Sequence, residues 1–65
     1  MDQKELEARF RKLARQAAET AMDLHDLTEE LPGAYLRIEE VARKAFLKHK
    51  EWAEAREAFE KASGS

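Results

Sequence analysis

Met22-Asp-Leu-His-Asp-Leu-Thr-Glu-Glu-Leu-Pro32-Gly33 decides the fold of this 65-residue chain. Helix-forming residues run from about Gln3 to Glu30, and Pro32-Gly33 is the only internal Pro or Gly punctuation. Helix formers then resume through Lys61. Proline lacks the N–H that a helix interior needs, so the first helix has to stop there. The expected fold class is all-α: an antiparallel two-helix hairpin that can dimerise into a four-helix bundle. The expected single domain spans 1–62, with helices over about 3–30 and 36–61, a turn over 31–35 and a frayed tail at 63–65. The same stretch carries an oddity. Asp26, Glu29 and Glu30 crowd a helix C-terminus, whose partial negative charge disfavours acids.

The apolar spacing sets a register. In the first helix Leu6, Phe10, Leu13, Ala17, Thr20, Leu24, Leu27 and Leu31 alternate at four and three residues; in the second Ile38, Val41, Ala45, Lys48, Trp52, Ala55, Phe59 and Ala62 do the same. Each series is a heptad seam with one polar interruption. Setting Leu27 opposite Ile38 makes facing residue numbers sum to 65. Phe10 then faces Ala55, Leu13 faces Trp52, and the weak central layers are Ala17–Lys48 and Thr20–Ala45. Flanking neighbours become Asp23–Lys44, Glu30–Arg37 and Gln16–Glu51 on one edge, and Glu7–Arg56, Ala14–His49 and Ala21–Ala42 on the other. Three of the six are opposite charges and none is a like pair. Exposed pairs stabilise by only ~0.2–1 kcal/mol each, but they disfavour other registers.

Composition closes off several functions. Fourteen acids against twelve bases leave a net charge of −2, a poor match for phosphate neutralisation. The basic cluster Arg9, Arg11, Lys12 and Arg15 lies at ion-pair spacing from Glu5, Glu7 and Glu19, which argues against a nucleic-acid site. With no cysteine there is no disulfide, no thiolate metal site and no cysteine nucleophile. His25 and His49 lie too far apart to share one metal within the hairpin, so the expected metal and cofactor sets are empty. No glycine-rich phosphate loop or HExxH pattern is present, and Thr28, His25 and Asp26 on one helix face do not make a triad. The expectation is a protein without enzymatic activity. The charged start and the lack of a long apolar run give neither a secretory signal nor a membrane span, hence an expected cytoplasmic location.

What remains is surplus surface. Met22, Phe46 and Leu47 fall off the seam, where burial would contribute roughly 1.5–3 kcal/mol each if something covered them. Glu19, Asp23, Asp26 and Glu30 form one acidic stripe, and Ala18, Met22, His25 and Glu29 form the next. Methionine adapts to irregular partner surfaces. The candidate partner-binding set is therefore Met22, Asp23, His25, Asp26, Glu29 and Glu30, with Phe46 and Leu47 as the apolar anchor.

Met22-Asp-Leu-His-Asp-Leu27, Glu30-Leu-Pro32, Tyr35, Ile38 and Glu40-Val-Ala-x-Lys44 together resemble the small Rop-like family of nitrogen-fixation-associated proteins. The resemblance covers roughly residues 4–60 and is sharpest over 22–46. Glu39 stands where relatives often carry proline, and Phe46 where tyrosine is common. The resemblance implies a helical hairpin encoded among nitrogen-fixation genes. It further implies a nitrogenase component, foremost the molybdenum-iron protein, or a cofactor-assembly (maturation) protein as partner. The competing expectation is a homodimeric four-helix bundle with a structural or RNA-related role.

Overall fold

The computed structural model describes residues 2–64, with side chains described through residue 62. Helix α1 spans Gln3–Glu30, a 3-10 turn spans Tyr35–Arg37, and helix α2 spans Ile38–Gly64. The expected tail therefore falls on positions whose side chains, and in the case of Ser65 whose whole residue, lie outside the described residues. The two helices pack along their length as an antiparallel rod of 48 × 15 × 14 Å. All-α and hairpin are the architecture observed.

Each helix end has a local cause. Asp2 caps α1: its side chain accepts a hydrogen bond from the Glu5 N–H at 2.9 Å, a contribution of about 1 kcal/mol. At the other end the chain leaves the helical region at Leu31, and no basic residue occupies the last turn. The turn is closed instead by backbone bonds: Ala34 N–H to Glu30 O at 3.1 Å, Tyr35 N–H to Pro32 O at 3.1 Å, and Arg37 N–H to Ala34 O at 2.9 Å. Helix α2 thus begins at Ile38, after the 3-10 turn. Glu39 and Glu40 lie in its first turn, where the positive end of the helix dipole favours acids.

The seam lies where the heptads put it. Leu13, Ala17, Leu27, Ala45 and Ala55 are the buried apolar residues, and Thr20 is buried with them. Phe10 lies between Trp52 and Phe59, with ring centroids at 6.1 and 5.7 Å, so it sits level with Ala55 as the register requires. The Arg56 guanidinium covers the outer face of this stack, 5.6 Å from the Trp52 ring centre. The two polar interruptions are both satisfied. Thr20 donates its hydroxyl to the Ala17 carbonyl at 2.6 Å. The Lys48 ammonium reaches Gln16 Oε1 at 3.2 Å and Glu51 Oε1 at 3.4 Å, bridging two residues set side by side by the register.

Two expected cross-helix ion pairs are not formed. Glu7 binds Arg11 on its own helix at 2.7 Å and Arg56 binds Glu60 at 3.3 Å, so Glu7 and Arg56 do not meet. Pairs at i,i+4 cost less side-chain ordering than a span across the groove. Asp23 and Lys44 flank the same small cleft without closing to ion-pair distance. Only Glu30–Arg37 closes, at 3.4 Å.

Burial is thin. Among the described residues, three of the five buried apolar residues are alanines, and no large side chain is enclosed to less than 2% exposure. The aromatic stack therefore carries an outsized share of the stability. Phe10→Ala is expected to cost roughly 2–3 kcal/mol, below the ~3–5 of an enclosed phenylalanine because the ring is only half-buried. Gly33→Ala is expected to do the opposite. Gly33 has no positive φ, and an added Cβ would meet only the Glu30 carbonyl at 3.5 Å, an ordinary contact. Lowering unfolded-chain entropy should then stabilise by about 0.4–1 kcal/mol. Thermal and urea denaturation followed by circular dichroism measures both.

Candidate functional site

A heptad seam assigns every other position to a flank or an outer face. Met22 lies diametrically opposite the α1 seam, while Phe46 and Leu47 straddle the line opposite the α2 seam. All three are open to solvent: Met22 is 62% exposed, Phe46 64% and Leu47 50%. Because each points away from the other helix, Met22 and the Phe46–Leu47 pair emerge on opposite sides of the rod. Phe46 and Leu47 line a shallow groove of about 500 Å³ with Glu39, Ala42 and Arg43.

The acids divide in two. Glu30 is tied to Arg37, and His25 Nε2 lies 4.0 Å from Glu29 in an exposed pair. Asp23 and Asp26, both exposed, make no ion pair or hydrogen bond among the described residues. Thr28 spends its hydroxyl on the His25 carbonyl at 2.6 Å, so it is engaged within its own helix turn. His49 directs Nδ1 at the Ala45 carbonyl at 2.7 Å, which requires the proton on that nitrogen. Among the described residues no three His, Cys, Asp or Glu side chains gather into a metal-holding group. No helix among the described residues is long and apolar enough to cross a membrane.

Sequence reasoning marked the tip of the hairpin as acidic but passed over its apolar residues. Leu36 is 79% exposed and Tyr35 62%, and Ile38, expected to face Leu27, is 42% exposed. Tyr35 and Leu36 follow the turn directly and precede the seam, so heptad counting assigned them nowhere. The signal was present as an apolar pair beside a Pro-Gly turn, a place normally filled by polar residues. A second feature lies on one flank, where Ala14, Ala17, Ala18, His49 and Trp52 line a shallow groove of about 320 Å³.

A family model described as Rop-like matches residues 1–64. The chain belongs to the Rop-like family. No curated protein and no solved structure matches it. Membership brings with it a helical-hairpin fold that works by protein contact, in keeping with open grooves and large exposed side chains.

Phe46 lies off the seam and is mostly open to solvent. Phe46→Ser is expected to change the unfolding free energy of the isolated hairpin by no more than ~0.5 kcal/mol, as for an ordinary surface substitution. Chemical denaturation at low protein concentration measures it.

Proposed function

We propose that this Rop-like hairpin is a non-catalytic accessory protein of the cytoplasm that binds a nitrogenase component, foremost the molybdenum-iron protein, or a cofactor-assembly protein. The observation that carries a binding role is the exposed apolar set at the turn half of the rod, Met22, Phe46 and Leu47. Leaving such side chains in water forgoes stabilisation that a 65-residue domain can ill spare. The unpaired acids Asp23 and Asp26, on α1 with Met22, support the same role, since a basic surface would answer them. The nitrogenase connection comes from the resemblance carried by Met22–Leu27 and Pro32. His25, Glu29 and Glu30 complete the contact strip on α1. The hairpin acts by stabilising or masking a partly assembled or altered state of its partner.

A second reading is a homodimeric four-helix bundle with a structural or RNA-related role. It is favoured by the alanine-floored groove of Ala14, Ala17 and Ala18 beside His49 and Trp52. Small residues on a flank let a second pair of helices approach closely. Light scattering at micromolar concentration separates the two, because a folded monomer excludes the obligate bundle.

Affinity capture with the tagged chain from nitrogen-fixing cells should recover a nitrogenase-related protein. Met22→Ala combined with Asp26→Ala should cut that recovery several-fold while circular dichroism stays unchanged. Recovery of no nitrogenase-related protein would defeat the proposal.

A further inference from the structure

We infer that the hairpin docks end-on: its turn enters an apolar pocket ringed by lysine and arginine on a folded protein, with Tyr35 and Leu36 as the plug. This rests on the binding role proposed above and adds its mode and chemistry.

The tip is apolar and held. Leu36 is the most exposed large hydrophobic residue among the described residues at 79%, with Tyr35 at 62% and Ile38 at 42% beside it. The segment displaying them is fixed by the three turn hydrogen bonds from Ala34, Tyr35 and Arg37, and by the Arg37–Glu30 pair across the turn. A side chain presented on fixed backbone loses less freedom on binding than one on a loose loop. Tyrosine adds a large rigid contact with a polar tip, a type of residue enriched among interface anchors.

A collar surrounds the plug. From residue 23 to residue 40 the chain carries Asp23, Asp26, Glu29, Glu30, Glu39 and Glu40 against a single base, Arg37, which is already engaged by Glu30. Mixed charge resumes only with Arg43 and Lys44. An apolar centre flanked by an excess of acids, with Asp23 and Asp26 unpaired, is complementary to an apolar pocket with a basic rim, and not to an acidic or uniformly apolar one.

The side contacts fit the same entry. Met22 and the Phe46–Leu47 pair emerge on opposite sides of the rod, so a flat partner meets one or the other. A socket meets both. Counting from Met22 to the turn gives a depth of roughly 13 Å at the helical rise. The wall and end of such a plug on a 15 × 14 Å cross-section come close to the ~800 Å² that each partner gives to a standard-size interface.

The test uses the full chain and purified nitrogenase molybdenum-iron protein as the probe. Leu36→Ser should weaken binding at least about tenfold and Tyr35→Ser several-fold, with the helical circular dichroism unchanged. Raising the salt from about 50 to about 500 mM should weaken binding of the unaltered chain further, because the collar is screened over that range. Lys61→Ala, at the far end, should bind within about twofold of the unaltered chain. If the unaltered chain binds and Leu36→Ser binds within twofold of it, docking is not end-on. If instead Leu36→Ser turns a dimer into a monomer by light scattering, the tip serves a second copy and the inference is overturned. If the unaltered chain fails to bind, the partner reading fails, and the end-on mode with it.

Discussion

A hairpin of two helices has one seam, and everything else in this molecule follows from how that seam is filled. Only one face of each helix can turn inward, so a 65-residue chain has about sixteen inward positions with which to offset the entropy of ordering itself. Here the bulk is concentrated at the free ends of the helices, where Phe10 sits between Trp52 and Phe59 under the Arg56 guanidinium. The centre is built from Ala17, Thr20 and Ala45, all buried but small. At the turn, Leu27 is enclosed while Ile38 opposite it is left partly open. Packing is therefore graded along the rod, from an aromatic clamp at one end to an open apolar tip at the other.

Much of this gradient was legible because a heptad is a strong signal and two heptads about one Pro-Gly leave few registers. The stack of Phe10 level with Ala55 and the Lys48 bridge between Gln16 and Glu51 both follow from facing residues that sum to 65. The charges were less legible. Opposite signs across the seam suggested Glu7–Arg56 and Asp23–Lys44, yet Glu7 turned to Arg11 and Arg56 to Glu60, since neighbours one helical turn away are reached at lower entropic cost. The apolar pair at the tip was missed for a different reason. Tyr35 and Leu36 belong to a 3-10 turn, where neither the heptad nor the α-helical period assigns a direction.

The anomaly of acids at the end of α1 also resolves in parts. Glu30 is answered from across the turn by Arg37, and His25 Nε2 lies 4.0 Å from Glu29. Asp23 and Asp26 are not answered within the hairpin, and Glu39 and Glu40 extend the same negative zone onto α2, where they suit the helix start. The turn half thus combines negative potential with exposed Met22, Tyr35, Leu36, Phe46 and Leu47. Asp23, Asp26 and the exposed apolar side chains contribute little to the fold. Both properties fit the proposed docking to a basic-rimmed protein, and both lie at the end of the rod remote from the aromatic clamp that holds it together.

A stabilising end is thus separated from the end proposed to dock. Hydrogen exchange of the hairpin free and bound to a nitrogenase component tests this separation most directly. Added protection should concentrate in residues 22–47, strongest around the turn from 31 to 40, with little change in residues 3–12 and 53–62. Protection spread evenly along one flank, through residues 14–18 and 49–53, would contradict it and assign the interface to the side of the rod.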